Sequence, residues 1–188
     1  MTTQSTSQIK LNTPLTTDEI DFRVQSVGSY KKGTEVQVFA IMLAYKDARV
    51  DMKRLDDVYG VDKWQKTYEI INGNLFCKVG IYSETLSQWI WKMDVGVPSK
   101  TEGVKGEASD AFKRACFNLG IGRELYEYPS IFINLNEGEY QQKGDKYVMT
   151  PKFQKGLVWQ SGFNVDGKLV LLTCVDSNGK TRFNYSVK

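Results

Sequence analysis

The chain has 188 residues, 41% of them hydrophobic and 25% charged, which is the composition of an ordinary globular protein. It contains no histidine, and this removes the commonest general base and the Ser/His and Cys/His nucleophile pairs. The net charge of +3 is mildly basic, so the distribution of charge matters more than its total. The cysteines are far apart and lack zinc-site spacing, so we expect small buried hydrophobes at Cys77, Cys116 and Cys174.

The sequence is not expected to contain a membrane helix or an N-terminal export signal. No apolar run approaches the roughly 20 residues that a membrane helix needs. The segment Met1 to Gln8 is rich in Ser, Thr and Gln and has no apolar stretch, so it is not a secretory signal. We therefore expect residues 1–18 to form a flexible leader, and the protein to stay in the cytoplasm, which the resemblance described below narrows to the cytoplasm or nucleoid of a bacterial host.

The first half of the chain predicts strands around one helix. Ile20–Val27 alternates loosely and Val36–Tyr45 is strongly apolar, so both are expected as strands. Asp47 has the position of an N-cap, and the helix that follows ends at Gly60. An apolar stripe at helical spacing is predicted for Val50, Leu55 and Val58.

A β-meander and a long helix come next. The predicted strands are Trp64–Ile71, Leu75–Tyr82 and Gln88–Val95, the first two joined by the hairpin dipeptide Asn72-Gly73. Lys105–Leu119 is predicted as a helix whose apolar stripe is Ala108, Ala111, Phe112, Ala115, Cys116 and Leu119.

The C-terminal part changes to a polar segment followed by short β-runs. Asp166-Gly167 and Asn178-Gly179 separate the later runs and predict β-hairpins. We therefore expect an α+β fold: an antiparallel β-meander with a long helix packed across it, and β-hairpins at the C-terminus. The predicted domains are a core at 19–135 and a small β extension at 136–188.

Catalytic and cofactor motifs are weak. The loop Gly96–Gly103 does not fit the Walker A pattern, and Gly120 and Gly122 lie at the end of a helix rather than at its start. The acidic residues of the meander and its helix are Glu69, Glu84, Asp94, Glu107 and Asp110. They are better explained as solvated charges on the sheet or as charges that suit the dipole of the helix. No cofactor, metal or enzymatic activity is expected.

The basic residues are more informative. Three lie on the first helix, namely Arg49, Lys53 and Arg54, and four lie on or after the long helix, namely Lys105, Lys113, Arg114 and Arg123. If both helices pack on one sheet, these cations could converge in a groove that attracts phosphates. The alternative is that they serve solubility on exposed helix faces.

Two stretches together resemble one family. They are AYKDARVDMKRLDDVYGVDKW at residues 44–64 and EGVKGEASDAFKRACFNLGIGRELY at residues 102–126. They are similar to the N-terminal annealing domain of the Rad-fifty-two family, and more closely to its phage and bacterial branch, which includes Sak-type annealing proteins and DNA-damage-response protein A. The resemblance covers about residues 20–135.

The resemblance implies a homo-oligomeric ring or helical filament with a basic groove that holds single-stranded DNA by its backbone. Arg49, Lys113 and Arg114 match the family's groove positions, whereas Val61 stands where relatives can have an aromatic residue. The expected function is ATP-independent annealing of complementary strands in recombination and repair, as in phage recombinases, with a single-strand binding protein as a candidate partner. The alternatives are a passive single-strand binding protein and a metal-dependent nuclease.

Overall fold

The computed structural model describes residues 10–98 and 103–187 and has an α+β fold with antiparallel sheets, as predicted. The helices are α1 (Ala48–Tyr59), α2 (Gly103–Leu119) and α3 (Pro151–Lys155). The strands are β1 (Asp21–Lys32), β2 (Glu35–Tyr45), β3 (Trp64–Ile71), β4 (Asn74–Ser83), β5 (Gln88–Val95), β6 (Ile131–Leu135), β7 (Tyr140–Lys143), β8 (Lys146–Met149), β9 (Val158–Phe163), β10 (Leu169–Val175) and β11 (Thr181–Ser186). Among the described residues, no helix combines the length and apolarity needed to cross a membrane.

The chain forms two compact units, each built from separate stretches of sequence. The first comprises Met1–Leu15 and Lys46–Arg123, and the second comprises Thr16–Tyr45 and Glu124–Lys188. These units differ from the predicted division at residues 18 and 135, because strands far apart in the chain share one core. Within the predicted leader, Leu15 is fully buried and Thr17–Glu19 forms a 3-10 helix, whereas residues 1–9 lie outside the described part.

In the first unit, a sheet in the order β3-β4-β5 packs against α2. The Asn72-Gly73 turn joins β3 to β4 with both residues at positive φ, which matches the twist of an antiparallel hairpin. The predicted stripe of α2 is confirmed at its centre, where Ala111, Phe112, Ala115 and Cys116 are buried. The Phe112 ring stacks on Trp64 of β3 with 6.2 Å between centroids, so the aromatic pair joins the helix to the sheet.

The buried face of α1 differs from the predicted stripe. Asp47 caps the helix and Gly60 ends it, as predicted, but Val50 is only half buried. The buried residues are Asp51, Arg54 and Leu55, two of which are charged. A helix can bury such groups where ion pairs and carbonyl oxygens satisfy them, and apolar periodicity does not reveal this.

The second unit contains a sheet in the order β1-β2-β6, a sheet in the order β11-β10-β9, and the hairpin β7-β8. Hairpins form at Asp166-Gly167 and Asn178-Gly179, as predicted. One core joins buried residues of β2, β6, β8 and β10: Val38, Ala40, Met42, Ile131, Ile133, Leu135, Met149, Leu169, Leu172 and Cys174. Both halves of the chain therefore build this core. All three cysteines of the chain are buried and free, as expected.

Candidate nucleic-acid interface

The N-terminus of α1 carries an arginine held by its own helix cap. The Asp47 side chain accepts a hydrogen bond from the Arg49 backbone N–H at 2.8 Å, which satisfies a free donor of the first turn. Arg49 Nε donates to the same oxygen, also at 2.8 Å. The Arg49 side chain remains 85% exposed, so its guanidinium stands at the surface in a defined position.

The charge of Lys113 of α2 acts on the same carboxylate. The pKa of the Asp47 carboxyl is lowered, chiefly by hydrogen bonds from the Arg49 side chain and backbone, and the charge of Lys113 adds to this effect. Lys113 follows the buried Phe112 along the helix, and this places it at the margin of the packed face. Two predicted residues that are 64 positions apart therefore both act on the pKa of one carboxylate, and we call them the Arg49–Lys113 pair.

A buried ion pair lies next to this pair of cations. Lys46 is bonded to Asp51, and both side chains are almost completely shielded from solvent. Burial raises the pKa of Asp51 to about 6, although the charges of Lys46, Lys113 and Arg54 act in the opposite direction. Gly122, at φ +74°, leaves room for the lysine, since a Cβ there would stand 2.7 Å from Lys46 Cε.

Arg54 and Arg123 each donate hydrogen bonds to backbone carbonyls. Arg54 is only 5% exposed, and its guanidinium donates to the Thr13 carbonyl at 2.7 Å, a contact within the first unit. Arg123 donates to the carbonyls of Phe117 and Asn118, each at 2.9 Å. It therefore satisfies free acceptors at the C-terminal end of α2.

The remaining predicted cations are exposed or partly exposed. Arg114 Nε lies 3.3 Å from Asp94 Oδ1 of β5, which ties it to the sheet. Lys53 pairs with Asp57 one turn further along α1, at 2.5 Å. Lys105 is exposed in the first turns of α2. Arg114 and Lys53 therefore each face a carboxylate.

Three of the five acidic side chains considered above are engaged in structural contacts. Asp94 receives Arg114 and Asn118, Asp110 Oδ2 accepts from the Val97 backbone N–H at 3.1 Å, and Glu84 pairs with Lys63. Within residues 10–98 and 103–187, no three His, Cys, Asp or Glu side chains converge as a metal ion requires.

Two residues of the site were not predicted from the sequence. Lys46 directly follows a strand, and Asp51 stands four positions before the buried Leu55, so that spacing placed Asp51 on the inner face of α1. This spacing is the signal that the sequence contains, although a carboxylate is rarely fully buried unless it is paired.

The chain is similar in sequence to proteins from two Deinococcus species. The chain is 35% identical over 102 residues to "Single-stranded DNA-binding protein DdrA" of Deinococcus deserti, covering 53% of this chain and 49% of that protein. It is 31% identical over 111 residues to the protein of the same name from Deinococcus radiodurans, covering 58% and 50% respectively. The chain thus spans about half the length of these relatives.

A sequence model of the family described as "Rad52/22 family double-strand break repair protein" matches residues 3–144. That range includes α1, the sheet β3-β4-β5 and α2, and with them the Arg49–Lys113 pair. Because the match extends over well more than half of the sequence, the chain belongs to the Rad52/22 family.

Proposed function

We propose that the protein binds single-stranded DNA and anneals complementary strands without ATP in recombination and repair. The observation that carries this proposal is the Arg49–Lys113 pair, in which an exposed arginine of α1 is held by its capping carboxylate and the charge of a lysine of α2 acts on the same carboxylate. The DdrA relatives are named as single-stranded DNA-binding proteins, and this supports the choice of ligand. Arg49 and Lys113 are the proposed principal ligands, with Arg114, Lys53 and Lys105 beside them.

The chemistry of the pair suits the DNA backbone rather than the bases. A guanidinium and an ammonium bind phosphate oxygens through charge-assisted hydrogen bonds. Such contacts position a strand without reading its sequence, and their strength falls as salt rises. A strand held in this way keeps its bases available, so a second strand can be tested by ordinary pairing. Annealing then needs no bond-making step and no nucleotide.

We further propose that the sheet β3-β4-β5 and α2 form the annealing core, and that copies of the chain assemble with their cation pairs along one groove. One such pair binds a phosphate weakly. Repetition around a homo-oligomer converts weak sites into tight binding, because each later contact becomes intramolecular. A net charge of +3 per subunit then adds up to a strong positive field along the groove.

The test is annealing of two complementary fluorescent oligonucleotides without nucleotide or metal. Wild type is compared with Lys113→Ala/Arg114→Ala and with Lys168→Ala/Lys180→Ala, which removes the same charge from exposed hairpin turns of the second unit. We expect wild type and the hairpin variant to accelerate annealing, and the α2 variant to lose most of the acceleration. Because Arg114 contacts Asp94, Lys113→Ala alone is included, and circular dichroism checks that each variant is folded.

Each outcome has a distinct meaning. Strand binding without acceleration would replace annealing by passive single-strand binding, the alternative function. Equal loss in the α2 and hairpin variants would indicate that general charge, not the proposed groove, holds the strand. Shortening of the labelled strands in magnesium or manganese would instead indicate a nuclease.

A further inference from the structure

Arg114 of α2 is held at one edge of its guanidinium by a carboxylate of the neighbouring strand. Its Nε donates to Asp94 Oδ1 of β5 at 3.3 Å. This contact uses one of the five N–H donors that a guanidinium carries, and the other four belong to its two Nη groups. The Arg114 side chain is 40% exposed, so solvent, and a ligand dissolved in it, can reach the side chain.

The Asp94 carboxylate is itself held in place by hydrogen bonds, and its side chain is only 23% exposed. Its Oδ2 accepts from Asn118 Nδ2 at 3.3 Å, and its Oδ1 accepts from the Val95 backbone N–H at 2.7 Å. Asn118 Nδ2 also donates to the Met93 carbonyl at 3.1 Å, which ties the helix to the same strand. The carboxylate is therefore a fixed acceptor that can orient a flexible arginine.

A similar arrangement occurs at the N-terminus of α1. Arg49 Nε donates to Asp47 Oδ1 at 2.8 Å, and the Arg49 side chain is 85% exposed. The two arginines among the proposed phosphate ligands therefore each contact a carboxylate through Nε, although they belong to different helices. An exposed ion pair adds little to the stability of a protein, so stability alone does not account for this repetition.

We propose that Asp94 is a positioning residue for DNA binding, which fixes the orientation of the Arg114 guanidinium before a phosphate binds. The inference rests on the proposed function, since it concerns one of the proposed phosphate ligands. A long side chain loses rotamer freedom when it binds, and a side chain already held by a neighbour loses less. The planar fork of a guanidinium binds two phosphate oxygens only in a defined orientation. Asp94 also contributes a negative charge, but solvent screens the charge of a partly exposed pair.

The experiment measures the affinity for a thymine oligonucleotide by fluorescence anisotropy at constant salt, in Asp94→Ala and Asp94→Asn. Both variants lose the negative charge, but asparagine keeps an oxygen that can accept from Arg114 Nε. We expect Asp94→Asn to bind at least as tightly as wild type. We expect Asp94→Ala to bind about five-fold more weakly than Asp94→Asn, the order of magnitude for ordering one long side chain. In an Arg114→Ala background this difference should vanish, because the positioning acts through that arginine.

Asp110→Ala is the control for a general loosening of α2. It removes another carboxylate that ties this helix to the segment after β5, where Asp110 Oδ2 accepts from the Val97 backbone N–H at 3.1 Å. This variant should bind as wild type does, and circular dichroism checks that every variant is folded.

Arg114→Lys guards against loss of folding in Asp94→Ala, because it keeps the positive charge and leaves Asp94 in place. A lysine is a compact point charge without the planar fork, so Arg114→Lys should bind about five-fold more weakly than wild type. An affinity equal to that of wild type would show that the orientation of the guanidinium does not matter, and would overturn the inference.

Three further results would overturn the inference and leave the proposed function intact. They are equal affinities of Asp94→Ala and Asp94→Asn, a difference between these variants that persists in the Arg114→Ala background, and an equal loss of affinity in Asp110→Ala. Wild type that binds no strand would instead overturn the proposed function, and this inference with it.

Discussion

Gly80 of β4 lies directly beneath the indole ring of Trp91 of β5. A Cβ on Gly80 would stand only 2.7 Å from Trp91 Cζ3, so the absence of a side chain lets the ring lie across the neighbouring strand. Trp91 is 37% exposed in this position, and Trp89 lies beside it with 6.0 Å between ring centroids. Gly80 thereby determines the conformation of an aromatic row on the sheet face opposite α2.

The first prediction concerns this contact. Gly80→Ala should displace the Trp91 ring and destabilise the protein by about 1–3 kcal/mol, because added volume in a packed contact forces side chains out of position. Urea unfolding measures the loss, and near-ultraviolet circular dichroism reports the moved indole. The control is Gly162→Ala on β9, where the added Cβ would meet Leu171 at an ordinary 3.4 Å. Equal effects of the two substitutions would mean that the Trp91 contact is not the cause.

The packing of α2 on its sheet gives the second prediction. Phe112 is fully buried, stacks on Trp64 and carries the Lys66 ammonium 4.2 Å above its ring. Phe112→Ala should lower the free energy of unfolding by about 3 kcal/mol or more, since a large cavity remains. Val104→Ala, at an exposed position of the same helix, should change it by less than about 0.5 kcal/mol. A Phe112→Ala variant as stable as wild type would contradict this packing.

The third prediction concerns a buried arginine of the second unit. Arg182 is 5% exposed at its side chain and bonds Glu139 Oε2 at 2.6 Å and Asp176 Oδ2 at 3.0 Å. Its guanidinium also donates to the Asn134 carbonyl at 2.7 Å. Arg182→Met should destabilise the protein by about 3 kcal/mol, because two carboxylates lose their buried partner. The exposed neighbour Lys180 provides the control, and thermal unfolding of Lys180→Ala should match wild type.

Arg182 also makes the stability of the protein depend on pH. Its hydrogen bond lowers the pKa of Asp176. Burial raises the pKa of Glu139, but the hydrogen bonds from Arg182 and Asn136 and the charge of Arg182 together outweigh burial, so this pKa is lowered as well. Carboxyls with a lowered pKa stabilise the fold above their unfolded pKa values, and this contribution is lost as pH falls through the folded values. The melting temperature should therefore drop between about pH 5 and pH 3, and drop less in Arg182→Met. A parallel decline in both proteins would assign the acid sensitivity to other groups.

The proposed ligands give the fifth prediction. Arg49→Ala and Lys113→Ala should each weaken strand binding at physiological salt and reduce the slope of log affinity against log salt by about one, as for the loss of one phosphate contact. The mass of the protein in solution should match that of wild type, because Arg49 is exposed and Lys113 is only half buried. Lys168→Ala should leave affinity and slope as in wild type. Unchanged affinity in both Arg49→Ala and Lys113→Ala would show that the groove lies elsewhere.

Local signals in the sequence predicted much of the fold. Asp47 caps α1 because a short acidic side chain can reach a free backbone N–H of the first turn, and Asn72-Gly73 forms a hairpin because both residues accept positive φ. Such effects act between near neighbours. The pairing of β2 with β6 depends instead on apolar faces about 90 residues apart in the chain, for which no local pattern exists.

In the candidate site, too, local signals could be predicted from the sequence and contacts between distant residues could not. Arg49 and Lys113 were predicted from their motifs, but the burial of Arg54 was not, because its partner is the carbonyl of Thr13 in a segment expected to be flexible. Every residue carries a backbone carbonyl, so the sequence alone cannot show which carbonyl accepts the hydrogen bond from Arg54. The pairing of Lys46 with Asp51 was missed for a related reason: the space for the lysine comes from Gly122, far along the chain.

The shared core of the second unit also bears on how the protein is made. The hairpin β1-β2 leaves the ribosome early, but β6, which pairs with β2 and adds Ile131 and Ile133 to the core, is synthesised about 90 residues later. At usual rates of synthesis this delay is on the order of 5 to 20 seconds, far longer than a hairpin needs to form. During that time the apolar side of β2 is open to other nascent chains. Protection by chaperones during translation would therefore matter more for this unit than for the first, whose residues 46–123 emerge as one continuous stretch.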